Sequence, residues 1–218
     1  MGDRVRLLPD EETAPLPAPV PEDMVRWKAP FERRGPGVFD ILLTAGAFEA
    51  CCQHASSDME HEVGGGLVGT WHIDPESGRE HILIEGVIPA RFTAFGKAHL
   101  TFTQDTLVDI QARLEEYFPG ARLVGWFHTH PKMSVFLSGY DLWLHHHFFP
   151  EAWQVALVIE PHSHTAGFFK RQHDGGIDPH RYEGFYEIVE EGRSIVTWNN
   201  MTRAGELAGG RTNGGQDE

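Results

Sequence analysis

The stretch His128-Thr129-His130-Pro131-Lys132-Met133-Ser134-Val135-Phe136-Leu137-Ser138-Gly139-Tyr140-Asp141 carries the side chains best suited to chemistry. Side chains alternate along a strand, so His128 and His130 at the end of a strand project to the same face and can meet one metal ion. Pro131 then turns the chain away. Asp141 lies eleven residues beyond His130, in the first turn of an expected helix, and can add an oxygen donor. Two imidazoles and one carboxylate leave the fourth tetrahedral position of zinc open to water, the arrangement of a catalytic rather than a closed structural site.

Other histidines are weaker candidates. His145, His146 and His147 are consecutive, and on a helix such neighbours point about 100° apart, so they cannot share one ion. A solvated helix face is expected, although His145, four residues after Asp141, could support a ligand from behind. His162 and His164 flank Ser163 in an expected turn and read as surface residues. His61-Glu62 starts a His-Glu-x-x-His pattern, but Gly65 stands where the second histidine is required, which excludes that zinc-protease class. A zinc deaminase needs Pro-Cys-x-x-Cys, which the adjacent Cys51 and Cys52 cannot supply.

The elements that must hold these residues follow from periodicity. Val38 to Leu43 reads as a strand and Ala45 to about Ser57 as a helix burying Ala47, Phe48, Cys51 and Cys52. Leu67 to Ile73 and His81 to Ile88 form a hairpin around Asp74-Pro75-Glu76-Ser77-Gly78. Thr103 caps a helix that runs to about Phe118 and stops at Pro119-Gly120, with Leu107, Ile110 and Leu114 on its apolar face. Strands are expected over Arg122 to Phe127, Trp153 to Ile159 and Ala166 to Arg171, a short helix from near Gly139, and one more pair of elements within 182–198. Hairpins mixed with crossovers imply an α/β fold with a mixed sheet flanked by helices.

The spacing His128-x-His130-Pro131-x6-Ser138-x2-Asp141 resembles the JAMM motif of MPN-domain zinc metalloproteases. Upstream, Glu62-Val63-Gly64-Gly65-Gly66-Leu67-Val68-Gly69 is similar to the family's Glu-x-x-Gly-x-Leu-x-Gly segment, a register that Glu60 fails. Leu100 to Thr103, Val124 to Phe127 and Val158 to Pro161 add to the likeness, which covers about 38–172. Gly64 and Gly66 make the glutamate strand unusually glycine-rich, and the family's insertion after the metal aspartate is short here.

The resemblance implies a single MPN-type, cytidine-deaminase-like domain and one Zn²⁺ per chain on His128, His130 and Asp141. It further implies Glu62 as general base and Ser138 as oxyanion donor. The implied reaction is hydrolysis of a peptide or isopeptide bond at the C-terminus of a ubiquitin-like protein or its conjugate. Alternatives are release of a small adduct such as cysteine from a sulfur-carrier protein, and an inactive scaffold. Bacterial members of this kind occur beside ubiquitin-like conjugation enzymes, including antiviral systems, which makes cognate conjugation enzymes possible partners. Gly86 to Leu100 has few charges, so Ile88, Phe92 and Phe95 are expected to flank an extended substrate tail.

Composition sets the surroundings. Hydrophobic residues at 40% allow a core, and 18 Lys plus Arg against 32 Asp plus Glu give a net charge of −14, unfavourable for nucleic acid. With only two adjacent cysteines and no run of about 18 apolar residues, a reducing, cytoplasmic setting away from membranes is expected. The expected organisation is a Pro-rich, acidic arm over 1–36, a catalytic domain over 37–200 and a Gly-rich tail over 201–218.

Overall fold

The computed structural model describes residues 14–30, 39–91, 102–189 and 191–205. Their elements are β1 (Leu16–Pro17), β2 (Met24–Lys28), β3 (Asp40–Leu43), α1 (Ala45–Ala55), β4 (Gly64–Ile73), β5 (Glu80–Pro89), α2 (Gln104–Tyr117) and β6 (Arg122–Thr129). They continue through α3 (Gly139–Phe148), β7 (Val155–Glu160), β8 (Thr165–Lys170), β9 (Phe185–Ile188) and β10 (Thr202–Arg203). One mixed sheet runs in the order β10-β2-β9-β3-β5-β4-β6-β7-β8, and β1 adds in parallel to the far end of β4. The mixed sheet and the three helices agree with the α/β expectation.

Local chemistry explains the helices. Thr44 Oγ1 accepts from the Ala47 amide at 3.2 Å, and Thr103 Oγ1 from the Thr106 amide at 3.1 Å, satisfying donors that a helix start leaves unpaired. Leu107, Ile110 and Leu114 are buried as their spacing predicts, and the Phe118 amide closes α2 on the Leu114 carbonyl. On α1, Ala47, Phe48 and Cys51 are buried, but Cys52 is only half-buried. His54 of α1 meets Phe127 edge-on, whereas Phe102, just before α2, meets Trp126. Phe127 and Trp126 are neighbours on one strand, so α1 and the α2 side cover opposite faces of the sheet.

Two expectations need correction. The β4 strand starts at Gly64 rather than Leu67, because the run of glycines that weakens a strand signal is what its neighbour demands. A Cβ on Gly65 would run into the Ile88 carbonyl of β5, and one on Gly69 into the Leu83 carbonyl. Among the described residues of 182–198 there is one strand, β9, with an isolated bridge from Glu183 to Phe168 before it, and the next strand is β10. The backbone between them is organised by the buried Glu187 carboxylate, which accepts from Trp27 Nε1 at 2.8 Å, Ser194 Oγ at 2.6 Å and the Ile195 amide at 2.6 Å. A buried carboxylate with several donors orders a segment without a ladder.

The close approach of β4 and β5 is testable. Gly65→Ala or Gly69→Ala forces the two backbones apart, an overpacking effect of about 1–3 kcal/mol. The melting temperature should fall by roughly 3–10 °C in a chain of this size. Thermal unfolding followed by circular dichroism checks this, and an unchanged midpoint in both variants contradicts it.

Candidate metal centre

Backbone register assembles the site. In the antiparallel pairing of β4 with β6, Gly64 faces His128. One residue further out, the Thr129 amide donates to the Val63 carbonyl at 2.8 Å, and the Val63 amide donates to Thr129 Oγ1 at 2.9 Å. Glu62 is the residue just before Val63, on the approach to β4. On the other side β6 pairs in parallel with β7, and the His130 amide donates to the Ile159 carbonyl at 2.9 Å. Both histidine backbones are therefore clamped between neighbouring strands before any side chain is considered.

The three expected ligands converge. His128, His130 and Asp141 are all buried, and among the described residues they form a group whose donor atoms lie within 4.8 Å of one another. His128 Nε2 lies 2.9 Å from His130 Nε2 and 3.4 Å from Asp141 Oδ1, and His130 Nε2 lies 3.9 Å from Asp141 Oδ2. A tetrahedral zinc with bonds of about 2.0–2.1 Å needs ligand separations of about 3.4 Å, which these distances bracket. The donor set and its spacing fit zinc.

Two of the candidate ligands, His130 and Asp141, are oriented from behind by different devices. His130 Nδ1 lies 3.1 Å from the Ser134 carbonyl and can only donate to it, so Nε2 keeps the lone pair a metal needs. Asp141 sits in the first turn of α3, where Ser138 forms a capping box. The Asp141 amide donates to Ser138 Oγ at 3.2 Å, and the Ser138 amide donates to Asp141 Oδ2 at 2.6 Å. Burial pushes the Asp141 carboxyl up, but bonding and electrostatic attraction to His128, with the Ser138 contacts, outweigh it. The group is held well below the usual carboxylate range and is ionised at neutral pH.

The turn that joins β6 to α3 is strained and then tied down. Lys132 has φ of 63°, a left-handed conformation that costs a non-glycine residue about 1–3 kcal/mol. The buried Glu160 carboxylate compensates by accepting from the amides of Lys132 at 2.9 Å, His162 at 3.1 Å and Ser163 at 2.6 Å. Charge-assisted bonds of this kind are worth about 1.5–3 kcal/mol each, so the tether wins. The loop before Glu62 is fastened to the same turn. Lys132 Nζ bonds both Glu60 oxygens at 2.7 and 2.6 Å, and His162 Nε2 lies 2.8 Å from the Met59 carbonyl. Asp58 Oδ1 accepts from the amides of Glu60 and His61, both at 2.9 Å. Glu60 is thus engaged with Lys132, while Glu62 is half-buried on the strand approach.

The remaining expectations divide. His146 and His147 are exposed, but His145 is fully buried, so the solvated face comprises two histidines rather than three. Burial first, then Arg171 and His146, pushes the His145 pKa down to about 3, which keeps the ring neutral. Ile88 is 2% exposed and packs in the core, so what it can offer a substrate tail is main chain. Pairing of β5 with β3 ends at Ile84, and among the described residues no strand pairs with that edge over Glu85–Pro89. Phe92 and Phe95 lie outside the described residues. Sequence reading missed Trp126, which reads as an ordinary core residue of a strand, although its spacing two before His128 puts it on the metal-facing side.

Residues 36–150 match the family model described as JAB1/Mov34/MPN/PAD-1 ubiquitin protease. Similar curated proteins include NAD(+) hydrolase TcpA of Theionarchaea archaeon (strain DG-70-1), 32% identical over 50% of this chain and 30% of that protein. AMSH-like ubiquitin thioesterase 2 of Arabidopsis thaliana is 36% identical over 25% of this chain and 26% of its own length. AMSH-like protease sst2 of Schizosaccharomyces pombe is 37% identical over 31% of this chain and 14% of its own length. The chain thus spans less than a third of each of these relatives.

Removal of a ligand tests the centre. The purified protein should hold about one zinc per chain, and His128→Ala or Asp141→Ala should weaken binding by more than about 100-fold. His147→Ala, on the exposed face of α3, should bind as the unmodified protein does. Metal analysis after competition with a chelator reads all three, and full occupancy in both ligand variants contradicts the assignment.

Proposed function

The chain belongs to the JAB1/Mov34/MPN/PAD-1 ubiquitin protease family, and we propose that it hydrolyses the peptide or isopeptide bond at the C-terminus of a ubiquitin-like protein. The observation that carries this reading is the convergence of His128, His130 and Asp141, with the approach to β4 that carries Glu62 tied to β6 through Val63 and Thr129. The three ligands would hold zinc. When bound, zinc would supply Lewis acidity, lowering the pKa of water to about 7 and polarising a carbonyl.

The chain's own groups supply the rest. Glu62 takes a proton on its carboxylate from the attacking water and gives it to the departing amine, one group serving as base and then as acid. Ser138, at the start of α3, donates its hydroxyl to the oxyanion that forms on the scissile carbonyl. The burial of His128, His130 and Asp141 keeps bulk water from their rear, which strengthens every interaction there. The β5 edge over Glu85–Pro89 supports recognition by strand addition, in which main-chain bonds hold an extended tail. Such a mode favours tails with small residues next to the cut, because the backbone must pass close to the protein. The names of the thioesterase and protease relatives support the substrate class.

Glu62→Gln separates chemistry from structure. The variant should keep its fold and its zinc while losing roughly 10² to 10⁴ in rate on a ubiquitin-like protein carrying a C-terminal extension. Mass spectrometry of the products reads both the rate and the cut position. Unmodified turnover by a zinc-loaded Glu62→Gln variant contradicts the role of that residue.

A further inference from the structure

The two histidine ligands are held differently. His130 has a hydrogen bond behind it, from Nδ1 to the Ser134 carbonyl at 3.1 Å. His128 has none among the described residues, since its Nδ1 is buried without a partner. Metal-ligating imidazoles are usually fixed by a bond from the second ring nitrogen, so something else must set the plane of His128.

The Trp126 ring lies against His128 with centroids 4.7 Å apart and planes 11° from parallel. Trp126 is itself immobilised. Phe102 meets it edge-on at 5.7 Å and Phe149 stacks on it at 6.1 Å. Its indole Nε1 donates to His145 Nδ1 at 3.1 Å, a bond buried on both sides. His145 Nε2 lies 2.8 Å from Arg171 Nη1, which donates to the Glu151 carbonyl at 3.0 Å. A neutral imidazole accepts at one nitrogen only, so with Nδ1 accepting from Trp126 the ring hydrogen sits on Nε2, and Arg171 Nη1 has the Glu151 carbonyl as its acceptor.

We propose that Trp126, locked by its hydrogen bond to His145, is the positioning residue for the metal ligand His128. The stack does for His128 what the Ser134 carbonyl does for His130. A flat plate restricts tilt, and the Nε1 bond stops the plate from turning about its own axis. His145 is then the anchor of an aromatic device that begins on α3 and ends at the metal. The inference rests on the reading of His128 as a ligand.

Cobalt(II) replaces zinc as the probe, because its visible absorption reports ligand geometry as well as occupancy. His145→Leu removes the acceptor, His145→Gln retains one, Trp126→Phe keeps a plate without the Nε1 donor, and Trp126→Leu removes the plate. In folded protein, His145→Leu and Trp126→Leu should lose about 10- to 100-fold in cobalt affinity, the usual effect of losing a group behind a ligand, with an altered spectrum. Trp126→Phe should fall between these and the unmodified protein, and His145→Gln should recover most of the affinity. If Trp126→Leu does not fold, the two His145 variants and Trp126→Phe decide the matter. A fall in melting temperature with unchanged cobalt affinity and spectrum would mean that the pair only packs the core, and would overturn the proposal. Failure of the unmodified protein to bind cobalt would instead overturn the metal reading beneath it.

Discussion

Antiparallel pairing of β4 with β6 is the constraint on which the rest of the site depends. A strand has a side-chain period of two, so a slip of one residue would turn His128 and His130 away from α3 and Trp126 with them. The Val63 and Thr129 bonds fix the register at the point where the ladder ends and the chemistry begins. β5 secures β4 from the other side, approaching closely enough to require glycine at Gly65 and Gly69. The strand that follows Glu62 therefore cannot take a side chain at Gly65 or Gly69.

Around this frame, several buried polar groups organise the backbone near them. Glu160 fixes the left-handed Lys132 turn, Glu187 ties the segment after β9, and Ser138 joins Asp141 in a capping box. An unpaired buried carboxylate would be costly, but Glu160 accepts from three amides and Glu187 from an indole N–H, a hydroxyl and amides. The consequence for function is stiffness where ligand geometry matters. Both ends of the link from His130 to Asp141 are held, one by β7 and the other by the cap of α3.

Much of this was legible in the residues. Thr103 announced its helix, Asp74 to Gly78 announced the hairpin, and the histidine, proline, serine and aspartate spacing singled out three side chains that do converge. What escaped did so for physical reasons. Glycines carry no strand propensity, so the beginning of β4 was hidden, although the glycines answer to the neighbouring backbone. β2, β9 and β10 pair across long sequence separations, which no local period reveals. A buried histidine looks like an exposed one in sequence, and only the fold brings His145 to the Trp126 indole. The part of the expected substrate contact at Phe92 and Phe95 lies outside the described residues, while Ile88 turned inward to the core.

Anomalous scattering at the zinc edge from crystals of the zinc-loaded protein bears most directly on the account. A single strong peak is expected within about 2.0–2.2 Å of His128 Nε2, His130 Nε2 and an Asp141 carboxylate oxygen, with the Glu62 carboxylate facing the open side. A peak at other residues, or none beside these three in protein shown to contain zinc, would contradict it.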